Sequence, residues 1–370
     1  MMLFFQVLSE DIDHIFSSGG SMAFTTDMWT DDYKQRSYTT VTGHYIEDWK
    51  LRNRVLITEE YDSAHPKTAE NLRQQLNEIF LGYGLGHQRL EKVIFTTDKG
   101  SNIISALKDL DRIDCINHVL NRVIVQCFEE AHSPKDVSEL ISTVKELVRF
   151  VKKNSFQNLL PTTLKQCNAT RWNSIYNMLK SVLDNFEELQ KLFALHKPSE
   201  LRRITAINID LLKELVDFLA PFNFDTKFFE DENRPTLHLV IPKITKLKKH
   251  CEISENDSSS LKSVKEKALL FILSKFTPHI LHKVAVFLNP RQKSMRVLEE
   301  EDRDLVLNYV NEKIDALPLN SYQSKRKASS PPPLNKARYD VDEFDDVPQK
   351  GDKLSEVESY QRKEVPCCDK

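Results

Sequence analysis

Glycine is scarce, with 8 in 370 residues, and none of them falls in a GxxxxGK[ST] or a strand-turn-helix GxGxxG. That deficit disfavours folds that cradle nucleotide phosphates on glycine-rich loops. Gly82, Gly84 and Gly86 approach the spacing but follow a helical stretch, where glycine serves as C-cap and loop. Cysteine is equally thin: six residues, at 115, 127, 167, 251, 367 and 368, lack the rhythm of a disulfide framework and fit free thiols in a reducing compartment. Apolar runs such as Ala268 to Leu273 fall far short of the roughly 18 residues a membrane helix needs, so no membrane partner is expected. The apolar start, Met1 to Leu8, has no basic flank and turns acidic at Glu10 and Asp11, and reads as a helix remnant within 1–20 rather than a signal peptide. Nor is one sign of charge in excess: 52 Lys+Arg oppose 55 Asp+Glu, a net −3, so any nucleic-acid contact has to be local.

What is present changes texture twice along the chain. From 21 to 154 it is α/β. Met22 to Trp29, Ser37 to Ile46 and Leu51 to Tyr61 are β-branched and aromatic and read as three consecutive strands. Leu72, Leu76, Ile79 and Phe80 recur at helical spacing over Thr68 to Leu81, and the uninterrupted Val93-Ile94-Phe95 reads as an inner strand. A helix from Ser101 to Leu110, a strand near Ile113 to Ile116, and helices over Val119 to Phe128 and Val137 to Val151 complete a β-β-β-α-β-α-β-α order. From 155 to 317 the pattern is helical, with apolar stripes over Tyr176 to Leu189 and Leu211 to Leu219 and helices at Leu237 to His250, Leu261 to Leu288 and Val297 to Leu317. The segment 318–370 is Pro-rich and charge-blocked, which predicts disorder.

Asp27 and Asp98 each follow a Thr-Thr pair at the predicted exits of the first and fourth strands. If those strands are neighbours in mid-sheet, both carboxylates emerge at one edge. Two carboxylates ~4 Å apart repel by ~4 kcal/mol at an effective dielectric of 20, so such a pair shares a cation or a proton. Oxygen ligands of this kind suit Mg²⁺ or Mn²⁺, and a pair of ions so held can clamp the attacking and leaving oxygens of a phosphodiester in DNA strand cleavage or transfer. The plain alternative is that each Asp is an N-cap or Asx-turn residue, in which case no cofactor is needed. Cys115, His118, Cys127 and His132 mimic a zinc spacing, yet the helix between His118 and Cys127 separates them by ~13 Å, beyond one tetrahedral ion. This leaves Cys115 as core and His118 as a hydrogen-bonding residue at a helix start, near the edge that carries Asp98. Arg171 and Trp172 suit phosphate and an unstacked base, or Trp172 is a core anchor with Thr170 as N-cap. Lys243 and Lys246, one helical turn apart and followed by Lys248 and Lys249, form either a phosphate-facing edge or a solvated helix face. Lys325-Arg326-Lys327 has the composition of a nuclear import signal.

Taken in order, Asp27-Met28-Trp29-Thr30, Thr97-Asp98-Lys99-Gly100-Ser101-Asn102, Cys115-Ile116-Asn117-His118, Thr170-Arg171-Trp172-Asn173-Ser174, Arg234-Pro235-Thr236, Leu239 to Ile244 and Phe287 to Lys293 resemble the hAT superfamily of DNA transposases, including its domesticated BED-zinc-finger relatives. The resemblance implies an RNase H-like core with a mixed five-stranded sheet, followed by an all-helical insertion domain. It makes Asp27 and Asp98 the first two acids of a D-D-E metal site and His118 an accessory to catalysis. Arg171 and Trp172 would handle a DNA hairpin and flipped base, with Trp29 and Asn173 inside the same motifs. The chain departs from the pattern in lacking the third acid's Ser-x-x-Ser-Glu-Arg segment and an N-terminal BED finger, and in carrying Asn289 where Asp is usual. The expectation is a nuclear, transposase-derived protein that binds DNA, is catalytically incomplete and does not readily oligomerise. A related full-length transposase-like protein is the partner that would supply the missing Glu to a nuclease fragment. The other alternative is a protein-interaction or transcription-regulatory module without DNA chemistry.

Overall fold

The computed structural model describes residues 12–17, 20–31, 33–168, 173–316 and 344. These divide into two compact units, and the division falls within a helix at His118 rather than at the change of composition near Asn154. The first unit comprises the described residues up to His118, Glu232–Ile241 and those from Pro278 onward; the second is Val119–Asp231 with Pro242–Thr277.

In the first unit, a helical stretch at 12–17 (α1) precedes three β-rich segments that pair as a meander. These are β1 (Met22–Asp31), β2 (Arg36–Glu47) and β3 (Lys50–Glu60), antiparallel to one another. Helix α2 (Ala69–Gly82) starts where the Thr68 hydroxyl accepts the Asn71 N–H, an N-cap that satisfies one of the first turn's orphan donors. It buries Leu72, Leu76, Ile79 and Phe80, the stripe the sequence predicts. The chain leaves it through Gly84, whose φ of +71° is the left-handed turn that glycine adopts without a Cβ clash. A short α3 (His87–Leu90), too brief to register as a periodicity, leads into β4 (Ile94–Thr97), which inserts beside β1 in parallel. After α4 (Ser101–Ala106), β5 (Arg112–Asp114) adds in parallel to β4, and α5 (Ile116–Cys127) follows. The sheet order is therefore β3-β2-β1-β4-β5, the mixed five-stranded arrangement expected. Beneath it Phe24, Phe80 and Phe95, each at most 1% exposed, meet at centroid distances of 5.0, 5.6 and 5.9 Å and fill the space between α2 and the sheet. Residues of alternate parity on β1 and β2 are only half-buried, so the strands present one apolar and one polar face.

The second unit is helical: the rest of α5, α6 (Lys135–Lys153), α7 (Ser174–Asp184), α8 (Phe186–His196), α9 (Arg202–Thr205), α10 (Ile209–Phe229), α11 (Val240–His250, from Pro242) and α12 (Ser259–Lys275). The stripe predicted as one element over Tyr176 to Leu189 is two helices. They break at Asn185, which is 1% exposed and whose side chain bonds Ser181 O and Thr162 Oγ1, both at 2.7 Å. Likewise Leu261 to Leu288 is not continuous: Pro278, which cannot donate a helical hydrogen bond, separates α12 from α13 (Ile280–Leu288), which with α14 (Glu300–Asp315) belongs to the first unit. Asn289 caps α13 and accepts the Arg291 N–H at 3.2 Å.

Lys243 is not the phosphate-facing residue the sequence suggests. Its side chain is 16% exposed and ion-pairs with Asp225, itself 9% exposed, while its ammonium lies over the rings of Phe224 and Phe228 at 4.9 and 4.5 Å. The apolar stripe of α11 turns this lysine inward, because an otherwise buried carboxylate on α10 needs a counter-charge. Lys246, one turn on, is exposed. Lys243→Ala should strand the Asp225 charge and cost about 3–5 kcal/mol in urea unfolding. Lys246→Ala should change stability by no more than about 0.5 kcal/mol.

Candidate functional site

The parallel pairing of β1 with β4 runs only from Ala23↔Ile94 to Thr25↔Thr96. Beyond it β4 ends, while β1 continues to Asp31 as a hairpin with β2, with Asp27 opposite Thr40. Asp27 thus lies within β1 and not at its exit as the sequence suggests, since pairing to β2 alone keeps the strand extended. Asp98 is the first residue after β4. The split between the two parallel neighbours brings the acids together, and the first turn of α5 adds His118. Ligand atoms of Asp27, Asp98 and His118 all lie within 4.8 Å of one another, and all three residues are half-buried. Among the described residues this is the sole group of its kind, so Cys127 and His132 take no part in a shared metal site.

Each member is held by local structure. The Asp98 Oδ1 accepts the Gly100 N–H at 3.1 Å in an Asx-type turn that leads into α4. A Cβ built on Gly100 would lie 3.2 Å from that same oxygen, so glycine here makes room for the carboxylate. The carbonyl of Asp98 accepts from Thr97 Oγ1 at 2.8 Å and from Arg112 Nη1 at 3.2 Å. Cys115, expected to be core, is half-buried; its N–H bonds Thr97 O at 2.7 Å, and its side chain hydrogen-bonds His118 one helical turn on. Burial of the His118 imidazole opposes its protonation. The hydrogen bond and electrostatic attraction of the Cys115 side chain and the negative charges of Asp27 and Asp98 outweigh that, and its pKa is raised above the ordinary 6.5.

Trp29 lies two residues along β1 from Asp27 on the same face, 46% exposed and stacked on Tyr38 with centroids 4.7 Å apart. Of the remaining residues singled out from the sequence, the described ones are not members of this cluster. Asn173, Lys243 and Lys246 belong to the second unit. There Asn173 precedes α7 in the left-handed region, at φ 57°, and lines a cavity of about 370 Å³ together with Lys145, Arg149 and Tyr176. Arg171, Trp172, Lys325, Arg326 and Lys327 lie outside the described residues. Sequence reading alone missed Arg112 and Asp114, whose signal is the parallel register Thr97↔Asp114, which no linear motif displays. Gly100 stands in the motif around Asp98, but its part in making room for that carboxylate is visible only in the fold.

A family model described as the ZBED1 RNase-like domain matches residues 25–122, the stretch that contains all three clustered residues. The chain is 32% identical over 298 residues to the transposable element Hobo transposase of Drosophila melanogaster, which covers 80% of this chain and 44% of that protein. It is 26% identical over 253 residues to zinc finger protein 618 of Mus musculus, covering 68% and 25% respectively, and 27% identical over 193 residues to the Homo sapiens protein of that name, covering 52% and 20%. The chain spans less than half the length of these curated relatives.

The electrostatics of the cluster are measurable without any ligand. In an NMR titration His118 should titrate above 6.5, and Asp27→Asn or Asp98→Asn should each lower that value by removing a negative neighbour. Because the folded-state pKa is the raised one, protonated His118 stabilises the fold at pH values below about 6.5, and this contribution fades as pH rises through its folded pKa. A His118 that titrates below 6.5, or is indifferent to both substitutions, would contradict this account.

Proposed function

This chain is a hAT-derived, transposase-like protein, and on that basis we propose that it binds DNA in the nucleus and holds a divalent cation, Mg²⁺ or Mn²⁺, on Asp27, Asp98 and His118. The observation that carries the cation reading is the convergence of two carboxylates and an imidazole within 4.8 Å at the split between parallel strands. Two carboxylate oxygens offer hard ligands, and the added imidazole nitrogen suits Mn²⁺ better than Mg²⁺. A cation held there would polarise a phosphodiester and lower the pKa of a water.

The protein's own groups do the rest. Asp27 and Asp98 bind and orient from a strand and from a turn fixed by Gly100 and Arg112. His118 coordinates when neutral and repels a cation when protonated. The Trp29–Tyr38 stack offers an exposed ring face to an unpaired base beside the acids, and Lys246, Arg171 and Trp172 are further candidates for DNA contact. Among the described residues the cluster holds two carboxylates and no third. A strand-transfer centre built on it calls for a further Glu, for which a related transposase-like protein is one source.

The test is binding of a fluorescent hairpin DNA at increasing salt. Affinity should fall log-linearly with salt as phosphate contacts release counterions, and Trp29→Ala should weaken binding by about 1–3 kcal/mol if a base stacks there. Absence of binding, or binding indifferent to salt, would leave a protein-interaction module instead. For the cation, Mn²⁺ affinity should rise with pH through the His118 titration, and Gly100→Ala should weaken it by displacing the Asp98 oxygen.

A further inference from the structure

The cavity of about 370 Å³ beside Asn173 lies wholly within the second unit, where α5, α6, α7 and α10 each contribute a wall. Its size falls in the range of about 300–1,000 Å³ that small organic ligands occupy. Val125 and Phe128 of α5, Val148 of α6, Met178 of α7 and Phe222 of α10 make its lining largely apolar. Lys145 and Arg149 of α6 line it as well. Four residues apart, these two cations stand on one helix face, where like charges destabilise the helix. Among the described residues neither has an ion-pair partner. Glu129, the acid among the described lining residues, lies 3.9 Å from Arg122 and 3.7 Å from His132 instead. Tyr176 adds a hydroxyl that makes no hydrogen bond among the described residues.

Burial sorts the lining by polarity. Val148, Met178 and Phe222 are buried, Lys145 is half-buried and Arg149 is exposed, so the positive charge lies toward solvent and the apolar wall lies inward. A wholly apolar ligand would leave both cations unpaired, and a small inorganic anion would leave the apolar wall against water. The chemistry that satisfies both is an apolar, planar body with one acidic head, a carboxylate, sulfonate or phosphate. The Arg149 guanidinium is a planar fork that can meet such a head with two parallel hydrogen bonds, and the Lys145 ammonium supplies a point charge beside it. We propose that this cavity is a binding site for a free organic anion, its head held between Lys145 and Arg149 and its apolar body against Phe128 and Phe222. None of the described lining residues belongs to the Asp27–Asp98–His118 cluster, so the site does not depend on the cation reading.

Fluorescence titration of anilinonaphthalene sulfonate, an apolar ring system with one acidic head, into the full chain tests the site, with folding of each variant checked by circular dichroism. The wild type should show a single saturable site that weakens as salt is added. Arg149→Met and Lys145→Met should each bind the dye about five- to tenfold more weakly. Lys152→Met, exposed on the same helix and outside the lining, should stay within about twofold of wild type. Ile124→Trp, which fills the cavity from α5 and leaves both charges in place, should abolish the site, and Val125→Phe takes its place should that variant fail to fold. Naphthoate should displace the dye, and a single-stranded oligonucleotide should not. Displacement by the oligonucleotide alone would assign the cavity to a base of DNA and overturn the proposal. So would binding indifferent to Lys145 and Arg149, an equal loss in Lys152→Met, or no saturable site in the folded wild type. Dye binding that appears only in Trp172→Ala would give the cavity to the chain's own indole, and overturns it as well.

Discussion

The parallel pairing of β1 with β4 ends after Thr25↔Thr96, and the acidic end of the first unit depends on that short register. Had β4 continued alongside β1, ladder hydrogen bonds would have tied Asp27 and Asp98 into a regular sheet. Because β4 stops and β1 goes on, the two acids stand just beyond the shared ladder, at the carboxyl end of the parallel pairing, where open α/β sheets commonly place their chemistry. The Phe24–Phe80–Phe95 cluster lies directly behind this pairing and holds β1, β4 and α2 together, so the position of the carboxylates is fixed by packing several residues away.

Like charges brought this close need management, and three devices are visible. His118 faces both acids with a pKa shifted upward, so a proton is available to them at mildly acidic pH. Backbone and guanidinium donors fix Asp98 through its carboxylate and its carbonyl: the Gly100 N–H on the former, Arg112 on the latter. Lys99, next in sequence to Asp98, ion-pairs with Asp114, as does Arg112. A charge pair of the opposite design occurs in the second unit, where Lys243 and Asp225 neutralise one another under aromatic rings and serve the fold alone.

Much of this was legible in the residues. β-branched runs located β1 to β3, helical spacing located α2 with its buried stripe, and the two Thr-Thr-Asp segments pointed to the acids that converge. His118 was visible only as a helix-start residue near the same edge, and the resemblance to hAT transposases supplied its place beside the acids. Other features could not be read because they are set by partners distant in sequence. The inward turn of Lys243 depends on a carboxylate 18 residues earlier, and the break at Asn185 on a threonine 23 residues away. The place of Asp114 at the end of β4 emerges only from strand register. Periodicity reports which face is apolar; it does not report which charge will need a buried partner.

The central claim is that Asp27, Asp98 and His118 form one binding site for a divalent cation, and the most direct measurement is electron paramagnetic resonance of Mn²⁺ titrated into the protein. One saturable site is predicted in the wild type, lost in Asp27→Asn and in Asp98→Asn, with a nitrogen coupling that disappears in His118→Gln. Saturation unchanged by the two Asp substitutions, or no bound signal in the folded wild type, would contradict it.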